Sequence, residues 1–173
     1  MSISQQILFS SGSAEESLTI VLSTTSFTDG QAIPGDHKNN VGGQCSGSNN
    51  SPQLTWTVTG SNSQVTSLRL ECWDIDGGSG SSRSGHFRHW YVTTMSATPG
   101  TYSLAENANW GSGNPTGAPA TSDFGTGDRA NGWGGPCPPS GTHNYRIEVY
   151  PINQNGDTIT NNVTNNILTF TST

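Results

Sequence analysis

The sequence predicts a mainly β fold with little helix, and its composition supports this class in two ways. Gly, Ser, Thr and Asn make up about half of the 173 residues, a mixture that favours strands joined by turns. Only 29% of residues are hydrophobic and 10% are charged, and no long stretch of Ala, Leu, Glu or Lys is present to form a helix. Thr, Val, Ile, Trp and Tyr, which suit half-buried pleated surfaces, recur in short runs.

Six of these runs predict strands, separated by loops rich in Gly, Asn and Ser. In chain order they are Leu18 to Ser26, Leu54 to Thr59, Ser67 to Asp74, His89 to Met95, Tyr145 to Ile152 and Ile167 to Phe170. Residues 77–85 are almost entirely Gly and Ser and predict a mobile loop. Residues 105–135 have many Gly and Asn and no clear period, so they predict a long, irregular surface loop.

The third run gives the clearest strand. Leu68, Leu70 and Cys72 alternate with a more polar set, so one face of this strand is apolar. Asp74 and Asp76 continue the parity of the apolar face at the point where the strand ends. Two carboxylates in this position are unfavourable unless another group pairs with them or donates hydrogen bonds to them. The end of this strand is therefore a candidate site.

The length of 173 residues suits one domain, and a domain of this size buries roughly 70% of the surface that its unfolded chain exposes. Residues 1–17 are polar and turn-rich, and they predict an N-terminal arm or a leading strand. Residues 18–173 predict a single domain, with an Asn- and Thr-rich tail over 153–173.

The charge pattern argues against several partners. A net charge of −6 and a single lysine, Lys38, disfavour nucleic acid and anionic membrane surfaces. No apolar run approaches the roughly 20 residues that span a bilayer, so membrane insertion is not expected. The first ten residues lack the basic and apolar regions of a signal peptide. This predicts synthesis in the cytoplasm without secretion.

The cysteines and histidines do not predict a metal site. Cys45, Cys72 and Cys137 form no CxxC pair. Their odd number and the missing signal peptide predict reduced, partly buried thiols, while a disulfide between Cys45 and Cys137 stays open as an alternative. His86 and His89 are three positions apart and would diverge on a strand, so a metal site is not expected there.

A Gly/Pro-rich loop over 133–142 comes directly before His143 and a predicted strand. Glycines allow close approach to a ligand and prolines fix the loop's shape, so the loop loses little entropy on binding. His89 begins another strand, and Asp74 and Asp76 end a third. If these strand ends meet at one rim of a sheet, the four side chains come together. The alternatives are structural histidines and turn-capping aspartates.

Four ordered motifs make the chain resemble a known family. They are Asn-Asn-Ser-Pro-Gln-Leu-Thr-Trp at 49–56, Asp-Ile-Asp at 74–76, His-Trp at 89–90 and the Gly/Pro loop through the tyrosine at 134–145. Their order and spacing resemble the phosphatidylethanolamine-binding protein (PEBP) family, especially its bacterial branch, over approximately 22–152. The resemblance implies a β-sandwich of antiparallel sheets with Greek-key-type connections. It also implies a small pocket for a phosphate-type anion or a phospho-headgroup.

The pocket-lining residues that the resemblance implies are Asp74, Asp76, His89, Gly135, Cys137, Pro139, His143 and Tyr145, with Gly135 and Cys137 contributing backbone. Histidines and loop N–H groups would donate to the anion, while the aspartates orient the imidazoles or meet an ammonium group. Gly77 and Gly78 stand where the family has Ala-Pro, which predicts a looser rim. Residues 153–173 show no counterpart of the family's C-terminal helical segment.

These observations favour a non-enzymatic module for a small anionic ligand, with no catalytic residues and no cofactor. A catalytic cysteine would need a lowered pKa and an oriented base, and the sequence indicates neither. The alternative is a structural or accessory protein of a phage-like particle, suggested by the surface-type composition. In that role the chain would be part of a virion and would contact a partner through residues 1–17 or 105–135.

Overall fold

A computed structural model describes residues 17–40, 45–78, 85–108, 120–124, 132–160 and 166–173. The described strands are β1 (Leu18–Ser23), β2 (Leu54–Gly60), β3 (Ser67–Asp74), β4 (Phe87–Met95), β5 (Gly100–Leu104), β6 (Ala120–Thr121), β7 (His143–Ile152) and β8 (Ile167–Ser172). The named helical element within these ranges is a short 3-10 turn over Gly35–His37. The predicted mainly β fold is confirmed.

The strands form two antiparallel sheets. A three-stranded sheet has the order β1-β2-β5, and a five-stranded sheet has the order β6-β4-β3-β7-β8. Alternating side chains on the facing sides of both sheets are removed from water and form one core. It includes Leu18, Ile20, Leu54, Trp56, Val58, Leu68, Leu70, Val92, Ile147 and Phe170. Nothing in the described part of the chain forms a helix long and apolar enough to cross a membrane.

The predicted strands occur where the alternation is strongest, and β3 has the predicted bounds. β1 ends at Ser23 instead of continuing to Ser26, because the side chains of Thr24 and Thr25 bond to Gln53 and turn the chain. β4 and β7 each begin two residues earlier than predicted, which moves His143 into β7. The tail forms β8, which pairs with β7.

Two strands were not predicted. β5 begins with a glycine and is largely exposed, so it lacks an apolar face that alternation could reveal. Its pairing with β2 stacks Tyr102 on Trp56, with ring centroids 5.8 Å apart. β6 has only two residues and pairs with the edge of β4. Short strands of this kind are fixed by their partners and not by their own sequence pattern.

The predicted surface loop over 105–135 is wrong at its C-terminal end. Trp133 is 1% exposed, and its ring meets that of Trp90 edge to face with centroids 5.4 Å apart. The indole Nε1 donates to the carbonyl of His37 at 3.0 Å. A buried tryptophan explains why this end of the loop turns inward. Residues 109–119 and 125–131 lie outside the described residues, as does almost all of the predicted arm over 1–17.

Candidate functional site

The polar side chains predicted to converge do meet at one rim of the five-stranded sheet. β3 lies between β4 and β7, and both pairings are antiparallel. The end of β3 is therefore beside the beginnings of the other two strands, with Asp74 paired to Phe87 on one side and to Tyr145 on the other. This places Asp74, His89 and His143 on three adjacent strands.

The Asp74 carboxylate organises the centre of the rim. Its Oδ1 accepts the N–H groups of Asp76 at 3.0 Å and Gly77 at 2.7 Å, and its Oδ2 accepts Nδ1–H of His143 at 2.8 Å. The backbone bonds form an Asx-type turn. Because Asp74 is 5% exposed and bonded through both oxygens, it positions His143 and the turn.

The turn after β3 is held more tightly than predicted at Gly77. A Cβ at this position would lie 2.7 Å from Cγ of Asp74, so the close approach requires glycine. Its carbonyl also accepts the N–H of Phe87 at 3.2 Å, in addition to the bond from its own N–H to Asp74. The predicted looser rim is therefore wrong at Gly77. Residues 79–84 of the predicted mobile loop lie outside the described residues.

His89 is fixed in the wall of the site by one strong hydrogen bond. Its Nδ1 lies 2.6 Å from the carbonyl oxygen of Gly134, which can only accept, so Nδ1 carries the proton. The ring is 4% exposed and meets the rings of Phe87, Phe124 and Tyr145 edge to face. Burial lowers the pKa of His89 more than neighbouring carbonyls and Asp74 raise it. The neutral ring keeps Nε2 as a hydrogen-bond acceptor.

Asp76 lies at the exposed edge of the rim. Its Oδ2 accepts both the backbone N–H and the side-chain amide of Asn144, each at 2.8 Å. These bonds lower the pKa of the Asp76 carboxyl against the opposing effect of desolvation, and the nearby rings of His143 and His86 lower it further by smaller amounts. Asp76 therefore supplies a negative charge at the mouth of the site.

A cavity of about 310 Å³ lies at this rim. Its walls contain Asp74, Asp76, Gly77, Gly78, Phe87, His89, Phe124, Cys137, Pro138, Pro139 and His143. Six of the predicted site residues are among them. Phe87, Phe124 and Pro138 were not predicted, and the aromatic residues carry no sequence signal that separates them from core residues. In the described ranges, no three His, Cys, Asp or Glu side chains are grouped as metal ligands.

The other two predicted residues, Gly135 and Tyr145, lie behind the cavity wall. The N–H of Gly135 donates to Oδ1 of Asn49 at 2.7 Å, away from the cavity. Tyr145 is fully buried and stacks on Phe170 with centroids 5.1 Å apart. Burial, and then the negative charge of Asp74, raise the pKa of Tyr145 far above its usual range. Both residues support the wall.

The loop on the other side of the cavity is held by residues distant in sequence. Cys137 forms a disulfide with Cys45, and Asn49 donates to the Trp133 carbonyl at 3.2 Å in addition to accepting from Gly135. The expectation of reduced thiols is wrong for this pair, and the alternative that the sequence left open is correct.

The remaining cysteine is a free thiol. Cys72 is buried in the core on β3, and burial raises its pKa well above the usual value. A raised pKa disfavours the thiolate, which is the reactive form of cysteine. Cys72 is therefore a structural side chain of the core.

Fold and site together define a class: an antiparallel β-sandwich protein with a histidine- and carboxylate-lined cavity at one rim. The family model described as phosphatidylethanolamine-binding protein matches residues 23–172. The chain belongs to this family, as its four motifs indicated. The match also includes most of the tail, where β8 stands.

Two curated proteins are similar to this chain. A UPF0098 protein from Methanothermobacter thermautotrophicus is 33% identical over 132 residues, which is 76% of this chain and 75% of that protein. The UPF0098 protein YbcL from Escherichia coli is 33% identical over 111 residues, which is 62% of this chain and 55% of that protein.

Two solved structures share the fold. The crystal structure of Escherichia coli YbcL, described as a member of the mammalian PEBP family, has a TM-score of 0.59 at 25% identity and covers 88% of this chain and 94% of that one. A PEBP homologue from Chlamydia trachomatis has a TM-score of 0.55 at 20% identity and covers 91% of this chain and 98% of that one.

Proposed function

We propose that this chain is a non-enzymatic binding module whose rim cavity holds a small ligand with a phosphate-type anionic group. The observation that carries the proposal is the pair His89 and His143. Each has its Nδ1 engaged by a protein acceptor, and each ring lines the same cavity of about 310 Å³. Nε2 of both rings is therefore available to a ligand.

His143 supplies the charged contact. Its Nδ1–H bond to the Asp74 carboxylate is an ion pair when the ring is protonated. The His143 side chain is 18% exposed, so its Nε2 can be reached from solvent. A protonated Nε2–H donates a charge-assisted hydrogen bond to an anion, and such bonds are about twice as strong as neutral ones.

Asp76 supplies a second, opposite charge at the mouth. An ionised carboxylate there suits a ligand that carries an ammonium group a few bonds from its phosphate, as phosphoethanolamine does. The aromatic rings of Phe87 and Phe124 and the pyrrolidines of Pro138 and Pro139 give the cavity apolar walls that can contact the carbons between the two charges. A zwitterionic phospho-compound therefore matches the walls better than inorganic phosphate.

Two features support binding without catalysis. The sulfur of Cys137 is part of the disulfide, which removes the thiolate that a cysteine nucleophile needs. The Asp74 carboxylate is bonded through both oxygens, so it has little capacity left to act as a base toward a ligand. Both groups hold the cavity in shape.

Titration calorimetry at pH 6 with phosphoethanolamine and inorganic phosphate tests the proposal. We expect both to bind, phosphoethanolamine more tightly, and His143→Ala to weaken binding by about 10- to 100-fold, the effect of a hydrogen bond to a charged group. Thr101→Ala is the control, because Thr101 is exposed on β5 in the other sheet and does not line the cavity. Absence of heat with the intact protein, or equal losses in both variants, would contradict the proposal.

The assembly role in a phage-like particle stays a prediction. It rests on residues 1–17 and 105–135, most of which lie outside the described residues. A virion component should co-sediment with particles, whereas a binding module should not.

A further inference from the structure

We propose that the cavity binds a phosphate monoester that carries one proton, and that it disfavours the phosphodiester of an intact lipid headgroup. This inference rests on the binding function proposed above. It adds the protonation state of the ligand and thereby chooses between a free phospho-compound and a lipid.

The first observation is that two N–H groups of the loop wall are used within the protein. The N–H of Gly134 donates to the carbonyl of His89 at 2.9 Å, and that of Gly135 donates to Asn49 at 2.7 Å. Pro138 and Pro139 have no N–H. Lys and Arg are missing from the described residues that line the cavity, whereas two carboxylates are present. A fully deprotonated phosphate would thus meet more negative charge than positive charge.

The second observation is that His89 offers an acceptor to the cavity. Its Nδ1–H is committed to the Gly134 carbonyl, so the neutral ring leaves a lone pair on Nε2. The titratable groups around the ring are Asp74 on β3, Asp123 after β6, and His143 and Tyr145 on β7. The negative charges of Asp74 and Asp123 favour a protonated ring, but burial has the larger effect and lowers the pKa of His89. An acceptor in this place requires a donor on the ligand.

The third observation is that His143 differs from His89 in its partner. A carboxylate holds Nδ1 of His143, and a neutral carbonyl holds Nδ1 of His89. The carboxylate forms an ion pair with the ring when it is protonated, and a protonated His143 presents Nε2–H as a donor. One donor and one acceptor facing the same cavity complement a group with one O⁻ and one O–H.

A singly protonated phosphate monoester has this combination. A phosphodiester has the O⁻ but no O–H, and a doubly ionised monoester has no O–H either. The second ionisation of a phosphate monoester occurs near pH 6, so both forms exist at the pH values where proteins are studied. The ligand would therefore enter with its proton or take one up on binding.

Calorimetry with phosphoethanolamine and glycerophosphoethanolamine tests the inference on the intact protein. We expect the monoester to bind at least about tenfold more tightly at pH 6, the effect of one added hydrogen bond. At pH 8, measured in buffers of different ionisation enthalpy, the monoester should take up one proton more than the diester. Each added pH unit in this range should therefore weaken binding of the monoester about tenfold relative to binding of the diester.

The variant His89→Asn sharpens the test. Its side-chain amide can still donate to the Gly134 carbonyl, but it no longer presents an acceptor at the position of Nε2. We expect the ratio of monoester to diester affinity to fall to about one in this variant, with Thr101→Ala on β5 retaining the wild-type ratio.

The proton uptake on ligand binding is measured on the wild-type protein, so the inference can still be tested if His89→Asn does not fold. Equal affinity and equal proton uptake for the two ligands would overturn the inference and leave the proposed function standing. No heat with either ligand between pH 5.5 and 8 would overturn the proposed function itself.

Discussion

The two walls of the cavity are held in place by different physical means. The strand wall, with Asp74, His89 and His143, is aligned by the β ladders and by hydrogen bonds that depend on the protonation of its own side chains. The loop wall over 134–139 is held by a disulfide and by close backbone packing. The strand wall should therefore respond to acid, and the loop wall to reductant and to added volume.

The loop wall also depends on partners that are far away in sequence. Asn49 reaches Gly135 across 86 positions, and Cys45 is 92 positions from Cys137. The N–H of Asn39 donates to the Pro136 carbonyl at 3.2 Å. Residues 37–40 and 45–50 thus form a buttress behind the loop. Changes in this buttress should alter the cavity without touching any residue that lines the strand wall.

The largest expected effect comes from removing the disulfide that ties the buttress to the loop wall. Closing a loop of 92 residues stabilises the folded chain by about 4 to 5 kcal/mol in the chain-entropy model. The double variant Cys45→Ala, Cys137→Ala should lose about this much in urea unfolding. Dithiothreitol should destabilise the wild type similarly and leave the double variant unchanged. An unchanged wild-type midpoint, with three free thiols titrated, would contradict this.

A smaller effect should follow from adding one methyl group to the loop wall. A Cβ on Gly135 would lie 2.3 Å from the His37 carbonyl oxygen and 2.7 Å from the Asn39 nitrogen, both backbone atoms. Gly135→Ala should therefore cost about 1 to 3 kcal/mol of unfolding free energy through overpacking.

Gly78→Ala is the matched control for that change. Gly78 also lines the cavity, but no atom lies within 4 Å of a Cβ built there. Its unfolding free energy should stay within about 0.5 kcal/mol of the wild type. If the two variants unfold at the same urea concentration, close packing does not hold the loop wall.

The strand wall was predictable from sequence and the loop wall was not. Alternation along β3 located Asp74 at the end of a buried face, and antiparallel pairing then brought His89 and His143 to the same rim. Side-chain direction on a strand follows from parity, so these residues could be placed. The direction of a loop N–H follows from no such rule. The backbone of Gly135 was predicted to contact the ligand, but its N–H donates to Oδ1 of Asn49.

The cysteine pairing illustrates the same limit. Three cysteines allow three pairs or none, and only the packing of residues 37–40 and 45–50 against the loop brings Cys45 to Cys137 while leaving Cys72 in the core. β5 was missed for a related reason, since its position is set by pairing with β2. Local pattern reveals elements that bury a face, whereas contacts between distant loops emerge only in the folded chain.

The smallest expected effect is the response of the strand wall to acid. The pKa of His89 is lowered in the folded protein, whereas an unfolded histidine titrates near pH 6.5. The contribution of His89 to stability is therefore fully present above about pH 6.5 and decreases as the pH falls toward 5, because the unfolded chain binds the proton first. The slope from one such group is at most about 1.4 kcal/mol per pH unit.

The variant His89→Asn isolates this contribution, since asparagine does not titrate. Urea unfolding of both proteins at pH 7, 6 and 5 should show that the unfolding free energy of the wild type falls more steeply with acid than that of the variant. The difference between the two slopes should be at most about 1.4 kcal/mol per pH unit. The disulfide contributes equally to both proteins, so it cancels in the difference. Parallel pH profiles would mean that His89 is charged in the folded state, and the acceptor at the strand wall, on which monoester selection depends, would not exist.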